Sequence, residues 1–439
     1  MTDIFLILVI LMFIFFGLTR PIIACGGYIW TDVVMPHKIT FGFMADKPIS
    51  MILAILVLVS LVINVKKLKK PSRTAIMWLL IVFFLWITLT TTQAYFQKEA
   101  WFKWDVAFKT ILMSVLMMFA VRSKKDLEFL LIVFVSSVGF YMISAGLKTL
   151  AGGGGYGANL IVGSGNVGIA ESSTLAFYSV LCIPLLLFLK NNITLIPFLA
   201  GRRLIWYGAI LLAIGTVIGT QSRTGLVALG VLLIIEFVRS KKKLPIVFGS
   251  IFIAIIGLTL ASQAWKDRMN TMNDVQNEAS AMGRIVVWRW TWDFVKSNPL
   301  GGGFGAYRAN YGQLNQYLDN PDMGFSKAKA FHSVYFEVLG EHGYPGILMY
   351  LLLAFLMWRS NIRIIKSNSS DDNWYAAVGI VLNRCLFVFL VGGAFVGVAF
   401  QPLFYQLLVF TVSLAKLSDS KKAVNIEKTP TKQEWSSEK

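Results

Sequence analysis

Apolar blocks of membrane-crossing length recur from one end of this chain to the other. They fall at about 4–34 (broken near Arg20-Pro21), 48–65, 75–93, 105–121, 127–148, 171–190, 204–220, 223–238, 244–263, 333–358, 375–391 and 397–415. In hydrocarbon every backbone N–H and C=O must be paired within the protein, so such blocks fold as helices. Of 439 residues, 56% are hydrophobic and 15% charged, well short of the charged fraction of a soluble domain. One large soluble enzyme is excluded. The expected fold class is all-α, a polytopic membrane protein of about twelve transmembrane helices.

The formal net charge of +18 is uninformative until its placement is read. Five short basic clusters, "KKLKKPSR" (66–73), "RSKK" (122–125), "GRR" (201–203), "RSKKK" (239–243) and "RSNIRIIK" (359–366), alternate with the apolar blocks. If every block crosses once, all five fall on one side. An excess of Lys and Arg in short loops marks the cytoplasmic side, which places both termini there as well. The charge is therefore a topology signal and not the footprint of nucleic acid. The partner it implies is a lipid bilayer.

Every other connection then faces outward, and the stretch 264–331 is much the largest of them. In a bacterium that face is periplasmic, and the protein belongs in the inner membrane. The chain divides into an N-terminal transmembrane bundle (1–263), one large helical periplasmic loop (264–331), C-terminal transmembrane helices (332–417) and a cytoplasmic tail (418–439) whose polar composition predicts disorder. The N-terminus has no cleavage site after its apolar core and reads as a retained first helix. The run "GGGGYG" at 152–157 reads as a flexible outer loop.

Chemistry is then sought at the outer face. Arg223 lies in the tight outer turn "GTQSRTGL" (219–226), where a charge at the rim marks either an anion site or a side chain snorkelling to headgroups. In "SAMGRIVVWRWTWDFVKSNPLGGGFGAY" (280–307), Ser280 can cap a helix that ends near Ser297, before Asn298-Pro299. Arg284, Trp288 and Trp292 recur at spacings of four and share a face, with Arg289 pointing elsewhere. This is either an interfacial helix or one that aims Arg284 at a phosphate. Glycines 301–303 and 305 offer either backbone N–H groups to an anion or a plain turn.

His332 opens "HSVYFEVLGEHGYPG" (332–346), at the outer end of the next apolar block, where neighbours can tune an imidazole. It is either a cap residue or a proton acceptor. His342 reads as structural, and His37 carries no assignment. Arg384, in "VLNRCLF", is the one cation deep within an apolar block, as a transporter or a cavity wall would require. The three cysteines, Cys25, Cys182 and Cys385, have no metal or disulfide spacing. No metal-ligand cluster, nucleotide fingerprint or nucleophile elbow presents itself, and no cofactor is implied.

In combination these motifs resemble the O-antigen ligase and O-antigen polymerase superfamily. The matching positions are Arg223 after Ser222; Arg284 with Trp288; Pro299 with Gly302 (or Gly303) and Gly305; His332 with Ser333 and Tyr335; and Glu341 with Gly343 and Gly346. Ser333 stands where Asn is common in the family. The N-terminal stretch "RPIIACGGYIWTDVVMPHKITFGF" is similar to the subgroup of O-glycosylation ligases associated with exosortase systems.

The resemblance implies transfer of a polymeric, O-antigen-like glycan from undecaprenyl pyrophosphate to an acceptor hydroxyl, lipid A-core or another. It assigns His332, Arg223 and Arg284 to catalysis and Trp288, Arg289, Ser333 and Tyr335 to substrate contacts. It needs no metal. A polymerase or a protein O-oligosaccharyltransferase would share these residues. The single large outer loop favours a ligase, and a polysaccharide flippase is the alternative of a different class.

Overall fold

The computed structural model describes residues 3–40, 42–45, 47–68, 70–71, 74–152, 169, 171–260, 279–318, 324–368 and 373–427. Its helices are α1 (Asp3–Thr19), α2 (Pro21–Val34), α3 (Ile49–Ile63), α4 (Thr74–Thr92), α5 (Gln97–Ala120), α6 (Lys124–Leu150), α7 (Ser172–Asn192), α8 (Arg203–Gly219), α9 (Arg223–Arg239), α10 (Lys243–Leu260), α11 (Ala279–Ser297), α12 (Val334–Ser367), α13 (Asn373–Gly392) and α14 (Pro402–Glu427). No strand occurs among the described residues.

Each apolar block of the sequence corresponds to a helix, and the first divides in two at Arg20-Pro21. Arg20 leaves helical geometry there, and Pro21 restarts the chain at the first helical position, where its missing N–H is not needed. Among the described residues five helices are long and apolar enough to cross a membrane: Ala75–Thr92, Lys124–Leu150, Ser172–Asn192, Val334–Ser367 and Trp374–Phe395. Large apolar side chains such as Phe5, Phe15, Ile55, Val62, Trp78 and Leu85 stand exposed along α1, α3 and α4. In water a continuous apolar exterior of this kind drives aggregation; against lipid it is the ordinary outer surface. This is a multi-pass membrane protein.

The helix α7 is the axis of the bundle, with 89% of its apolar window buried against 33% for α4. It packs on α6, α8, α9 and α13. Glycine lets α9 close in: a Cβ on Gly225 would overlap Ala176 of α7. On the other side α12 packs on α4, α13 and α14, and α11 lies on α12.

Three helices differ in extent from the blocks read in the sequence, the last of them also beginning at Pro402 and not at 397. First, α5 starts at Gln97 and not at 105, so its polar first turns carry Lys103 into the structure. Second, α12 runs on to Ser367, past the expected end at 358. Third, α14 continues to Glu427, so residues 418–427, expected as disordered tail, are helical. Lys, Ala and Glu propagate a helix readily once an apolar stretch has nucleated it. The remainder of that tail (428–439), most of the glycine run (153–157) and the first part of the outer stretch (264–278) lie outside the described residues.

Candidate active site

The outer stretch is built around a break in α12. At Gly343 the backbone adopts φ 66° and ψ −166°, which interrupts the helix and leaves carbonyls before it without their usual partners. The loop "NPLGGGFG" supplies them. Gly302 N–H donates to Gly340 O at 3.0 Å, Gly303 N–H to Glu341 O at 2.8 Å, and Tyr344 N–H to Pro299 O at 3.0 Å. A Cβ on Gly343 would overlap Pro299 O, and one on Gly301 (φ 84°) would overlap the backbone at Glu341 and Gly343. The structure places the amides of Gly302, Gly303 and Gly305 on α12, while Gly301 N–H closes a turn on Asn298 O at 2.8 Å. They close a backbone joint between α11 and α12.

The joint is locked by charge. Lys103 Nζ lies 2.7 Å from Glu337 Oε1 and 2.8 Å from both oxygens of Glu341. Glu341 also accepts from Gly305 N–H at 2.9 Å, and Glu337 Oε2 from Ala399 N–H at 3.0 Å. Burying a carboxylate is tolerable only with partners of this kind. His342 is buried between Phe304 and Phe400, shares a 2.7 Å hydrogen bond with Thr90 through Nδ1, and fulfils its structural reading.

The site residues gather around the short connector Gly393–Phe395 that follows α13. Arg223 is the first residue of α9, capped by Ser222, whose hydroxyl accepts from Gly225 N–H at 3.4 Å. Its neighbour Thr224 donates to Phe395 O at 3.5 Å. Trp288 packs on Phe395 with ring centroids 6.2 Å apart, and its Nε1–H donates to Phe331 O at 2.8 Å. Gly393 lies against Val334, and Gly397 faces the backbone of His332 and Glu337 Oε2. Thr224 beside Arg223, Trp288 of α11, and Val334 two residues after His332 therefore all touch this connector.

His332 is exposed and held at φ 49°, a left-handed conformation that costs a non-glycine residue about 1 kcal/mol or more. Partial desolvation and the nearby Arg284 guanidinium hold its imidazole below the ordinary histidine value; Lys329 adds to this, while Glu171 and Glu337 pull the other way. The neutral imidazole, able to accept a proton, is therefore the form the site favours at neutral pH. Ser333 is buried, and its hydroxyl has no hydrogen-bond partner among the described residues.

Other expected residues take different places. The Tyr335 hydroxyl donates to Leu390 O, tying α12 to α13. Arg289 shares a cleft with Trp288 and Trp292, which corrects the expectation that it points elsewhere. Spacings of three and four together describe one broad helix face. Deep in the bundle, Arg384 Nε lies 2.9 Å from Glu236 Oε1, a pairing that accounts for a cation at that depth.

With this geometry in hand, the comparison with known families is decisive for residues 208–351, which match the model described as O-antigen ligase. This segment is similar to the O-antigen ligase family. Residues 1–194 match a family of unknown function, and no curated protein matches the chain. The O-antigen ligase segment contains Arg223, Arg284, Trp288, Arg289, His332, Ser333 and Tyr335. Lys103 and Glu171 come from the other matched segment, so both parts build the site.

Neither of those two residues was singled out from the sequence. Glu171 caps α7, accepting from Thr174 N–H at 2.7 Å and from Thr174 Oγ1–H at 2.8 Å, and its charge reaches His332. A capping carboxylate has an ordinary local signature, and only the bundle brings it to an imidazole. Lys103 stands just before the apolar block at 105–121, where a lysine is unremarkable, so the sequence offers no signal of its pairing.

Proposed function

We propose that this protein is a membrane glycosyltransferase of the ligase type. It transfers an O-antigen-like polysaccharide from undecaprenyl pyrophosphate to an acceptor hydroxyl, with lipid A-core as the first acceptor to test. The observation that carries the reading is the exposed His332 imidazole at the start of α12, near enough to the Arg284 guanidinium for its charged form to be disfavoured.

The proposed step is a single displacement. His332 takes the proton from the acceptor hydroxyl as its oxygen attacks the anomeric carbon. The bond from that carbon to the pyrophosphate oxygen breaks on the opposite face, so the configuration inverts. Undecaprenyl pyrophosphate leaves with its electron pair, and Arg223 and Arg284 offset the developing negative charge, as guanidinium does for phosphate oxygens. Trp288, Arg289, Ser333 and Tyr335 line or support the space that sugar and acceptor occupy. The step is written without a metal.

The reading also fixes an orientation. About twelve crossings would place both termini in the cytoplasm of a bacterium and the site on the periplasmic face of the inner membrane. There the lipid tail of the donor rests in the bilayer while its sugar emerges into water.

The test is reconstitution in proteoliposomes with a lipid-linked glycan and lipid A-core. His332→Ala, Arg223→Ala and Arg284→Ala should each reduce transfer by at least about a hundredfold, the lower range for removing a general base or an electrostatic stabiliser. Full transfer by His332→Ala, with normal insertion, removes it from the mechanism. Extension of the donor glycan, with none reaching lipid A-core, would mark the protein as a polymerase.

A further inference from the structure

One face of α11 opens on a cleft of about 450 Å³, to which Trp288 and Arg289 contribute but which also extends to Trp292, Asp293 and Tyr317, residues without a part in the displacement. Its walls include Trp288, Trp292, Tyr317 and Phe336, with Arg289 and Asp293 among the lining residues. That volume lies within the range of small-ligand sites, about 300–1,000 Å³. We propose that this cleft is a subsite for a pyranose ring of the transferred glycan or of its acceptor, stacked on Trp292. The proposal rests on the glycan-transfer reading above and adds to it a binding site away from the reacting atoms.

The chemistry of the lining points to a sugar. A pyranose presents flat patches of C–H and an edge of hydroxyls. Aromatic faces carry negative charge density that attracts the C–H patches, while a few fixed polar groups at the rim select the orientation of the hydroxyls. Trp288 supplies a rigid wall: it stacks on Phe336 at 5.2 Å with the planes 5° apart, and its N–H is held by Phe331 O. Trp292 is 51% exposed, a large aromatic surface turned outward.

The polar groups at the rim are also arranged. Asp293 accepts from Lys296 at 2.7 Å, an interaction that holds its carboxyl below the usual carboxylate range and keeps it an acceptor. Arg289 Nη1 donates to Tyr317 O at 3.5 Å, which leans its guanidinium along the same wall. An isoprenoid tail would strip water from these charges and return no hydrogen bonds. A sugar hydroxyl replaces that water.

Position adds a second argument. Trp288 bonds the carbonyl of Phe331, the residue before His332, so the cleft and the proposed base are linked through one residue. A polymer held at a subsite beside the reacting sugar has less freedom to lose in the transition state, and remote binding of this kind supports catalysis.

The experiment uses the full chain in nanodiscs. The probe is lipid-free oligosaccharide released by mild acid from the host's lipopolysaccharide, titrated calorimetrically against the His332→Ala protein, which retains the cleft. Trp292→Ala in that background should weaken binding on the order of tenfold, as expected for loss of one aromatic stacking surface. Trp292→Phe should recover most of it, and Tyr311→Ala, an exposed site outside the cleft, should bind as His332→Ala alone does. In the active enzyme, Trp292→Ala should raise KM for either the lipid-linked donor or the acceptor, and whichever moves identifies the source of the sugar. No binding of the probe, equal binding by Trp292→Ala, or an equal loss in Tyr311→Ala overturns the proposal. Trp292-dependent binding by a protein that transfers no glycan keeps the cleft and rejects the transferase; intact transfer with a silent Trp292→Ala does the reverse.

Discussion

Lys103 and Glu341 are 238 residues apart in the chain, yet the ammonium sits 2.8 Å from both oxygens of the carboxylate and 2.7 Å from Glu337 as well. The cation comes from the first turns of α5 and the anions from the start of α12, and Glu341 is fully buried. One lysine therefore bridges two carboxylates that hold the loops at Gly305 and Ala399, the second of which follows the segment facing His332.

Replacing that lysine should be severe. Lys103→Met leaves two buried carboxylates facing each other, and breaking a buried pair from one side costs about 3–5 kcal/mol. The unfolding midpoint of the purified protein should fall markedly. Adding Glu341→Gln and Glu337→Gln to Lys103→Met should restore part of the loss, because no uncompensated charge remains. A wild-type midpoint for Lys103→Met alone would show that the triad contributes nothing.

The joint at Gly343 gives a prediction about backbone shape. An alanine there meets both the left-handed φ and the Pro299 carbonyl. Left-handed strain of about 1–2 kcal/mol adds to an overpacking penalty of about 1–3 kcal/mol, so Gly343→Ala should destabilise by roughly 2–5 kcal/mol. Gly152→Ala, also at positive φ but with open space around it, should show only the smaller strain. Equal melting curves for the two variants would mean that the joint is not tightly closed.

The pH dependence of transfer follows from what surrounds His332. As a base it must be neutral, so kcat/KM should rise with pH through a pKa below the ordinary histidine value of about 6.5. Lys329→Met removes a neighbouring cation that disfavours the imidazolium, and should move the rise to higher pH. Glu171→Gln removes an anion that favours the imidazolium, and should move it to lower pH. Shifts in the opposite senses, or a profile unaffected by either change, would assign the titration to another group.

Orientation is open to chemical labelling. Tyr311 is 69% exposed in the outer stretch, and the native cysteines Cys25, Cys182 and Cys385 are buried, so Tyr311→Cys offers a single reactive thiol among the described residues. A membrane-impermeant maleimide should label it from the periplasmic side of spheroplasts. Labelling only after the inner membrane is permeabilised would invert the topology.

The sequence by itself determined the helices and marked candidate positions for chemistry. Periodic apolar blocks leave the backbone no alternative to helix in lipid, and Arg20-Pro21 marked a break because proline cannot continue the turn before it. Arg223, Arg284 and His332 were legible for the same local reason: charge and imidazole are conspicuous beside so much hydrocarbon. Tertiary structure alone decided what the glycines, Lys103 and Glu171 do. Glycines 302, 303 and 305 turn their amides to α12 because the break at Gly343 exposes carbonyls there, a need invisible in the loop's own sequence. Lys103 and Glu171 acquire meaning only when helices remote in the chain bring opposite charge to them. Local sequence fixes how each segment satisfies its backbone, whereas the pairing of buried charge depends on which segments meet.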